Sequence, residues 1–224
     1  MKKYVPILLM PVLLALGCKK NDDLESDKNY YQLYEVEYNK VNAETRAYAT
    51  FRENDATGRK VELKGSANVK ANTKIANTTT EDITRYYWDF PGTSDVNFVL
   101  TKNYGGTIRN TVRRAEIGDI KITTVYPEFV PKSEGLGFKW AGDPLQENEK
   151  LVATIISGAN LVRETKEFTG DSVYFTPYEL SEISPEWVTV QLKRIKELPL
   201  ENKDHGKDGK MKVTLVTYTY TTLQ

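Results

Sequence analysis

Tyr34-Glu35-Val36-Glu37-Tyr38 carries the pattern that decides the fold. Apolar and acidic side chains alternate with a period of two. In an extended chain successive side chains point to opposite faces, so this stretch reads as a strand with one face buried and one in water. The same alternation recurs. Ala47, Ala49 and Phe51 interleave with Arg46, Thr50 and Arg52, and Val61 and Leu63 with Lys60, Glu62 and Lys64. Val96, Phe98 and Leu100 continue it, followed by Ile120 and Ile122, then Phe138 and Trp140. Leu151, Ala153 and Ile155 form another such face, and Val188, Val190 and Leu192 a further one. The run from Lys212 to Thr222 is dense in Val, Thr and Tyr, which favour strands, and reads as a long terminal strand. Helix-period patterns are scarce, so the expected fold class is all-β.

Turn residues punctuate these runs: Asn54-Asp55-Ala56-Thr57-Gly58, Pro91-Gly92, Gly105-Gly106, Ala141-Gly142-Asp143-Pro144 and Asp208-Gly209. One short helix start interrupts them. Thr176 is a capping residue, Pro177 suits the first helical position, and Glu179 places an acid in the first turn.

Short strands separated by such turns suggest sandwiches. A boundary near Glu116–Asp119 divides the body into 29–117 and 118–224, each with about seven strands. In architecture both blocks resemble Ig-like β-sandwich modules, which implies two such domains in tandem. One larger sandwich is the alternative. No disulfide can support an Ig domain, because Cys18 is the only cysteine.

The N-terminus has its own logic. Lys2 and Lys3 precede a thirteen-residue apolar run, Tyr4 to Leu16. A membrane-crossing helix needs about 20 apolar residues, whereas a run of this length after a basic start reads as a signal-peptide core. The run ends Leu14-Ala15-Leu16-Gly17-Cys18. This resembles the lipobox of bacterial lipoprotein precursors, in which small residues precede a cysteine. The resemblance implies diacylglyceryl transfer to Cys18 and cleavage between Gly17 and Cys18, removing residues 1–17. One acyl chain binds a membrane reversibly, while two or three on one cysteine anchor it stably.

Residues 18–28 then form a polar, acid-rich tether expected to be disordered. By resemblance to lipoprotein sorting signals, Lys19 in place of aspartate disfavours inner-membrane retention. The acids Asp22, Asp23, Glu25 and Asp27 resemble the signal that exports some lipoproteins to the outer face of the outer membrane. The expected location is the outer membrane, lipid-anchored and exposed at the cell surface.

Loss of residues 1–17 removes Lys2 and Lys3 and no acid, leaving a net charge near −2. That balance offers no basic face for nucleic acid. The sole histidine, His205, lies in the charged, Gly-rich stretch Glu201–Lys210, which reads as a solvated loop and a poor place for a catalytic base. With one cysteine and one histidine, the sequence implies no zinc site; calcium, which needs only oxygen ligands, stays open, and no metal or cofactor is assigned. Asp204 to Asp208 lacks calcium-loop spacing and reads as a solvated turn. Gly105-Gly106 lacks the further glycines and lysine of a phosphate loop. No catalytic residue is assigned.

Aromatic residues supply the positive signal. Tyr86, Tyr87 and Trp88 form a cluster whose rings could stack on a ligand or fill a core, with neighbouring side chains pointing opposite ways. Asp171-Ser172-Val173 resembles a three-residue O-glycosylation signal of exported proteins in some Gram-negative groups, which implies Ser172 as acceptor. The leading expectation is a non-enzymatic binding or interaction module of the cell envelope, with a glycan or envelope protein as partner. The alternative is a glycan-active hydrolase using a carboxylate pair.

Overall fold

The computed structural model describes residues 29–79, 81–157 and 161–224. Cys18, Gly17 and the tether lie outside them. Apart from one short helix and two single 3-10 turns, the regular structure of the described residues is all strand.

The chain opens with a hairpin of β1 (Tyr30–Asn39) and β2 (Glu44–Glu53). Asn39 shapes the turn by accepting hydrogen bonds from the Val41 and Asn42 amides through its side chain. The alternation of Tyr34, Val36 and Tyr38 with Glu35 and Glu37 is realised: the aromatic and Val side chains are buried, the glutamates half-exposed.

This hairpin belongs to a nine-stranded sheet. Its main path runs β13 (Val162–Phe168), β12 (Glu149–Ser157), β15 (Glu186–Pro199), β16 (Gly209–Leu223), β1, β2 and β3 (Lys60–Val61). β6 (Arg85–Pro91) also pairs with β2, and β10 (Phe129–Val130) with β16. The joint in the middle is parallel: β1 lies beside β16, with Val36 opposite Val213. Strands from either side of the 117/118 division therefore share one sheet.

Two smaller sheets cover the inner face. β5 (Lys74–Ile75), β4 (Asn68–Ala71), β7 (Val96–Thr101) and β8 (Thr107–Val112) form one of them. It reaches the main sheet where Phe98 stacks on Tyr34, ring centres 4.5 Å apart. β14 (Ser172–Phe175), β11 (Leu136–Gly142) and β9 (Ile120–Ile122) form the other. There Phe138 meets Phe168 edge-on. One hydrophobic cluster runs through both contacts, from Tyr30, Phe51 and Trp88 to Leu151, Leu192 and Leu223.

The expected helix start forms α1 (Pro177–Leu180). Thr176 accepts from the Glu179 amide, and Glu179 accepts from the Thr176 amide. Two expectations need local correction. Leu63 lies beyond the two-residue β3, because the chain leaves the sheet there and its amide bonds the Tyr86 hydroxyl. Ala141 and Gly142 belong to β11, paired with Lys121 and Ile120, so the turn comes after them.

Segment 116–119 is held by β15. Arg194 donates to the carbonyls of Asp119, Asp143 and Pro144, and Lys196 to that of Glu116. Gly118 is glycine for a steric reason: a Cβ there would stand 2.6 Å from the Arg194 guanidinium.

Candidate functional site

The inner face is filled, so ligand-facing chemistry is sought on the outer one. Register settles which side chains point there, because directly opposed residues share a face. Glu35 opposes Tyr48, and Tyr48 opposes Tyr87. Thr189 opposes Tyr220, and Gln191 opposes Tyr218.

The three rings singled out from sequence divide accordingly. Tyr86 and Trp88 are core residues, and this corrects their reading as ligand contacts. Tyr86 leans on Phe51 and accepts a hydrogen bond from the Leu63 amide. Trp88 is 1 % exposed, meets Phe98 edge-on and donates its indole N–H to the Lys74 carbonyl. The physical reason is the pleat, which sends alternate residues of β6 inward. Only Tyr87 faces outward. It lines a shallow concavity with Arg46, Tyr48, Asp82, Arg85 and Asp89. Arg85 lies 4.0 Å over the Tyr48 ring, a cation–π contact that fixes both side chains.

The sequence reading missed the more exposed rings. Trp187 on β15 and Tyr220 on β16 stack with centroids 4.5 Å apart and an interplanar angle of 18°. They are 50 % and 43 % exposed. Tyr218 stands edge-on to Tyr220 and donates its hydroxyl to Asn42. The row continues outward from Tyr220 through Thr189 and Ile156 to the exposed Val162 on edge strand β13. Period two was the available signal: Tyr218 and Tyr220 alternate with Thr217, Thr219 and Thr221, so both share one face. The pattern alone does not say that this face is the outer one.

Carboxyl chemistry at these surfaces is restrained. Hydrogen bonds from Lys60 and then Thr84 pull the Asp82 carboxyl down to about 2. The displaced carboxyls among the described residues, Asp55, Asp82, Asp119, Glu149, Glu179 and Asp208, all sit below their ordinary range. Among the described residues no group of three His, Cys, Asp or Glu side chains is placed to hold a metal ion.

The 201–210 loop departs from the expected solvated turn in one respect. Asp204 is fully buried, accepting from the Tyr30 amide and from Lys102. Burial of a carboxylate requires such partners, and this one pins the start of β1 to the loop. His205 itself is exposed. Gly105 and Gly106 form the β7–β8 turn, closed by the Lys102 amide on the Gly106 carbonyl. Ser172 is exposed at the start of β14 and donates to the Asp171 carboxylate.

No family model matches the chain, and no curated protein matches it. Among solved structures it is similar to the fibronectin(III)-like modules of Clostridium thermocellum CbhA. That likeness covers 89 % of this chain and 93 % of the other, at 10 % identity and a TM-score of 0.24. It is also similar to a structure described as giving insight into host cell surface retention of a 1.5-MDa bacterial ice-binding adhesin. There the identity is 11 % and the TM-score 0.24, covering 88 % of this chain and 66 % of that one, slightly under two thirds of its length. At these TM-scores nothing is carried over from either neighbour.

Proposed function

We propose that this chain is a lipid-anchored binding module of a bacterial outer membrane, exposed at the cell surface, that holds its ligand on the open face of the main sheet. The stacked, half-exposed Trp187–Tyr220 pair carries this reading. Large aromatic side chains left in water cost hydration free energy, and clusters of them mark binding surfaces. Each ring turns one face against the other, and the faces left open can stack on sugar rings. Tyr87 and Tyr48, with Arg85 and Asp89 beside them, add a second polar–aromatic patch on the same face.

Two experiments test the two halves of the proposal. For the ligand, residues 18–224 carrying Cys18→Ala are run through native gels cast with individual polysaccharides. Retardation by one of them, abolished in Trp187→Ala, is expected. Unchanged migration in every polysaccharide overturns the glycan reading. For the anchor, intact cells carrying the full chain are treated with protease. Digestion of the body is expected, together with release of Cys18→Ala from the membrane fraction. Digestion only after lysis overturns surface exposure. Ser172 is proposed as an O-glycan acceptor, checked by a mass shift that Ser172→Ala removes.

A further inference from the structure

We propose that the concavity between the β7–β8 turn and the 201–207 loop is a binding site for a phosphate-type anion. Its volume is about 490 Å³, enough for a phosphate together with the group that carries it. Lys102, Thr107, Arg109, Asn202, Lys203 and His205 line it, and no carboxylate does.

The neighbouring acids are accounted for. Asp204 points inward, committed to Lys102 and the Tyr30 amide. Glu201 is engaged by the Thr111 amide and Arg113. Asp208 holds Lys203 at 2.9 Å. Lys102 spends its protons on Asp204 and Asn29, so it fixes the wall. The uncommitted donors are others. Arg109 is exposed, and its guanidinium has no ion-pair partner among the described residues. A guanidinium presents paired N–H groups that match a phosphate, and the Thr107 hydroxyl and His205 imidazole can add to them.

The walls are held in place. The Asn110 side chain donates to the Asn202 carbonyl and accepts from its amide, fastening the loop to β8. His205 and Gly206, with φ of 40° and 80°, form a tight turn in the loop that lines the opening. The site also lies where the chain comes from its anchor, since Lys102 holds Asn29, eleven residues after Cys18. Such a length spans at most about 40 Å. The anion proposed is a phosphate group, carried either by a membrane headgroup or by a free or sugar phosphate. Only the headgroup source rests on the lipid-anchor reading, and neither source rests on the aromatic face.

His205 is the only histidine, so its ring resonances report on this loop alone. Residues 18–224 with Cys18→Ala are titrated with inorganic phosphate at constant ionic strength, chloride being the control. They are titrated separately with phosphatidylcholine vesicles with and without phosphatidylglycerol. A saturable shift with phosphate is expected, weakened about tenfold by Arg109→Gln, with Thr107→Val as a second variant. Saturation by anionic vesicles at lower phosphate concentration assigns the headgroup source; response to phosphate alone assigns the soluble one. An equal shift with chloride, or an unchanged response in both variants, overturns the proposal. Trp187→Ala leaves the response intact, so this site and the aromatic face fail or stand separately.

Discussion

Arg194 on β15 donates two hydrogen bonds to the Glu149 carboxylate on β12, with both side chains withdrawn from solvent. Removing one partner of a buried pair leaves an uncompensated charge, which costs about 3–5 kcal/mol. Arg194→Met should therefore lower stability by that order in urea melts. Adding Glu149→Leu to Arg194→Met should recover only part of the loss, because the Asp119, Asp143 and Pro144 carbonyls that Arg194 serves stay without their donor. Gly118→Ala, which intrudes on the guanidinium, should move stability in the same direction as Arg194→Met.

The same pair sets an acid dependence. Burial raises the Glu149 carboxyl, but hydrogen bonds from Arg194 and the Gln146 amide outweigh it, and the group sits below its ordinary range. A carboxyl depressed in the folded state contributes stability above its unfolded value, near 4.3, which is lost as pH falls through the folded value. Melting temperature should fall on acidification below about pH 4.3, and less steeply in Glu149→Gln than in the parent.

Trp88 and Tyr87 are neighbours with opposite roles. Trp88→Ala opens a cavity in the core and should cost about 3–5 kcal/mol in chemical denaturation. Tyr87→Ala, on the outer face, should stay within about 1 kcal/mol. Equal costs would remove the assignment of the two faces.

Trp187→Ala should likewise leave the melting temperature within a few degrees of the parent, about 1 kcal/mol or less. Ligand binding should nonetheless drop at least tenfold, about 1.4 kcal/mol. A large stability loss would recast the ring pair as structural.

The division at 117/118 and the shared sheet forecast different fragments. Residues 29–117 contain β1 without β16, and 118–224 contain β16 without β1. We expect each fragment alone to lack a cooperative melt, and the two mixed together to regain it. Two separate cooperative melts would establish tandem independent domains.

Strand positions were legible because burial imposes a period of two wherever one face is covered. Thus Val96, Phe98 and Leu100, and Val188, Val190 and Leu192, are all buried where alternation put them. Strand partners were not legible. β1 and β16 lie some 175 residues apart, and nothing in Val36 or Val213 names the other. The site was half legible for the same reason. Alternation showed that Tyr86 and Tyr87 face opposite ways but not which faces water, since that depends on where β4 and β7 lie. Asp204 looked solvated because its partners, Tyr30 and Lys102, are remote in sequence.

The parallel joint between β1 and β16 has a mechanical side. Under the proposed function the anchor would pull on the leading end of β1, and a ligand held at Tyr220 on the far end of β16. Eight residue pairs, Gln32–Gly209 to Asn39–Val216, lie between those two ends. Tension along the strands loads these pairs in shear, so they must yield together and cannot unzip singly. Under the proposed function the sheet would thereby act as a force-bearing splice between anchor and ligand.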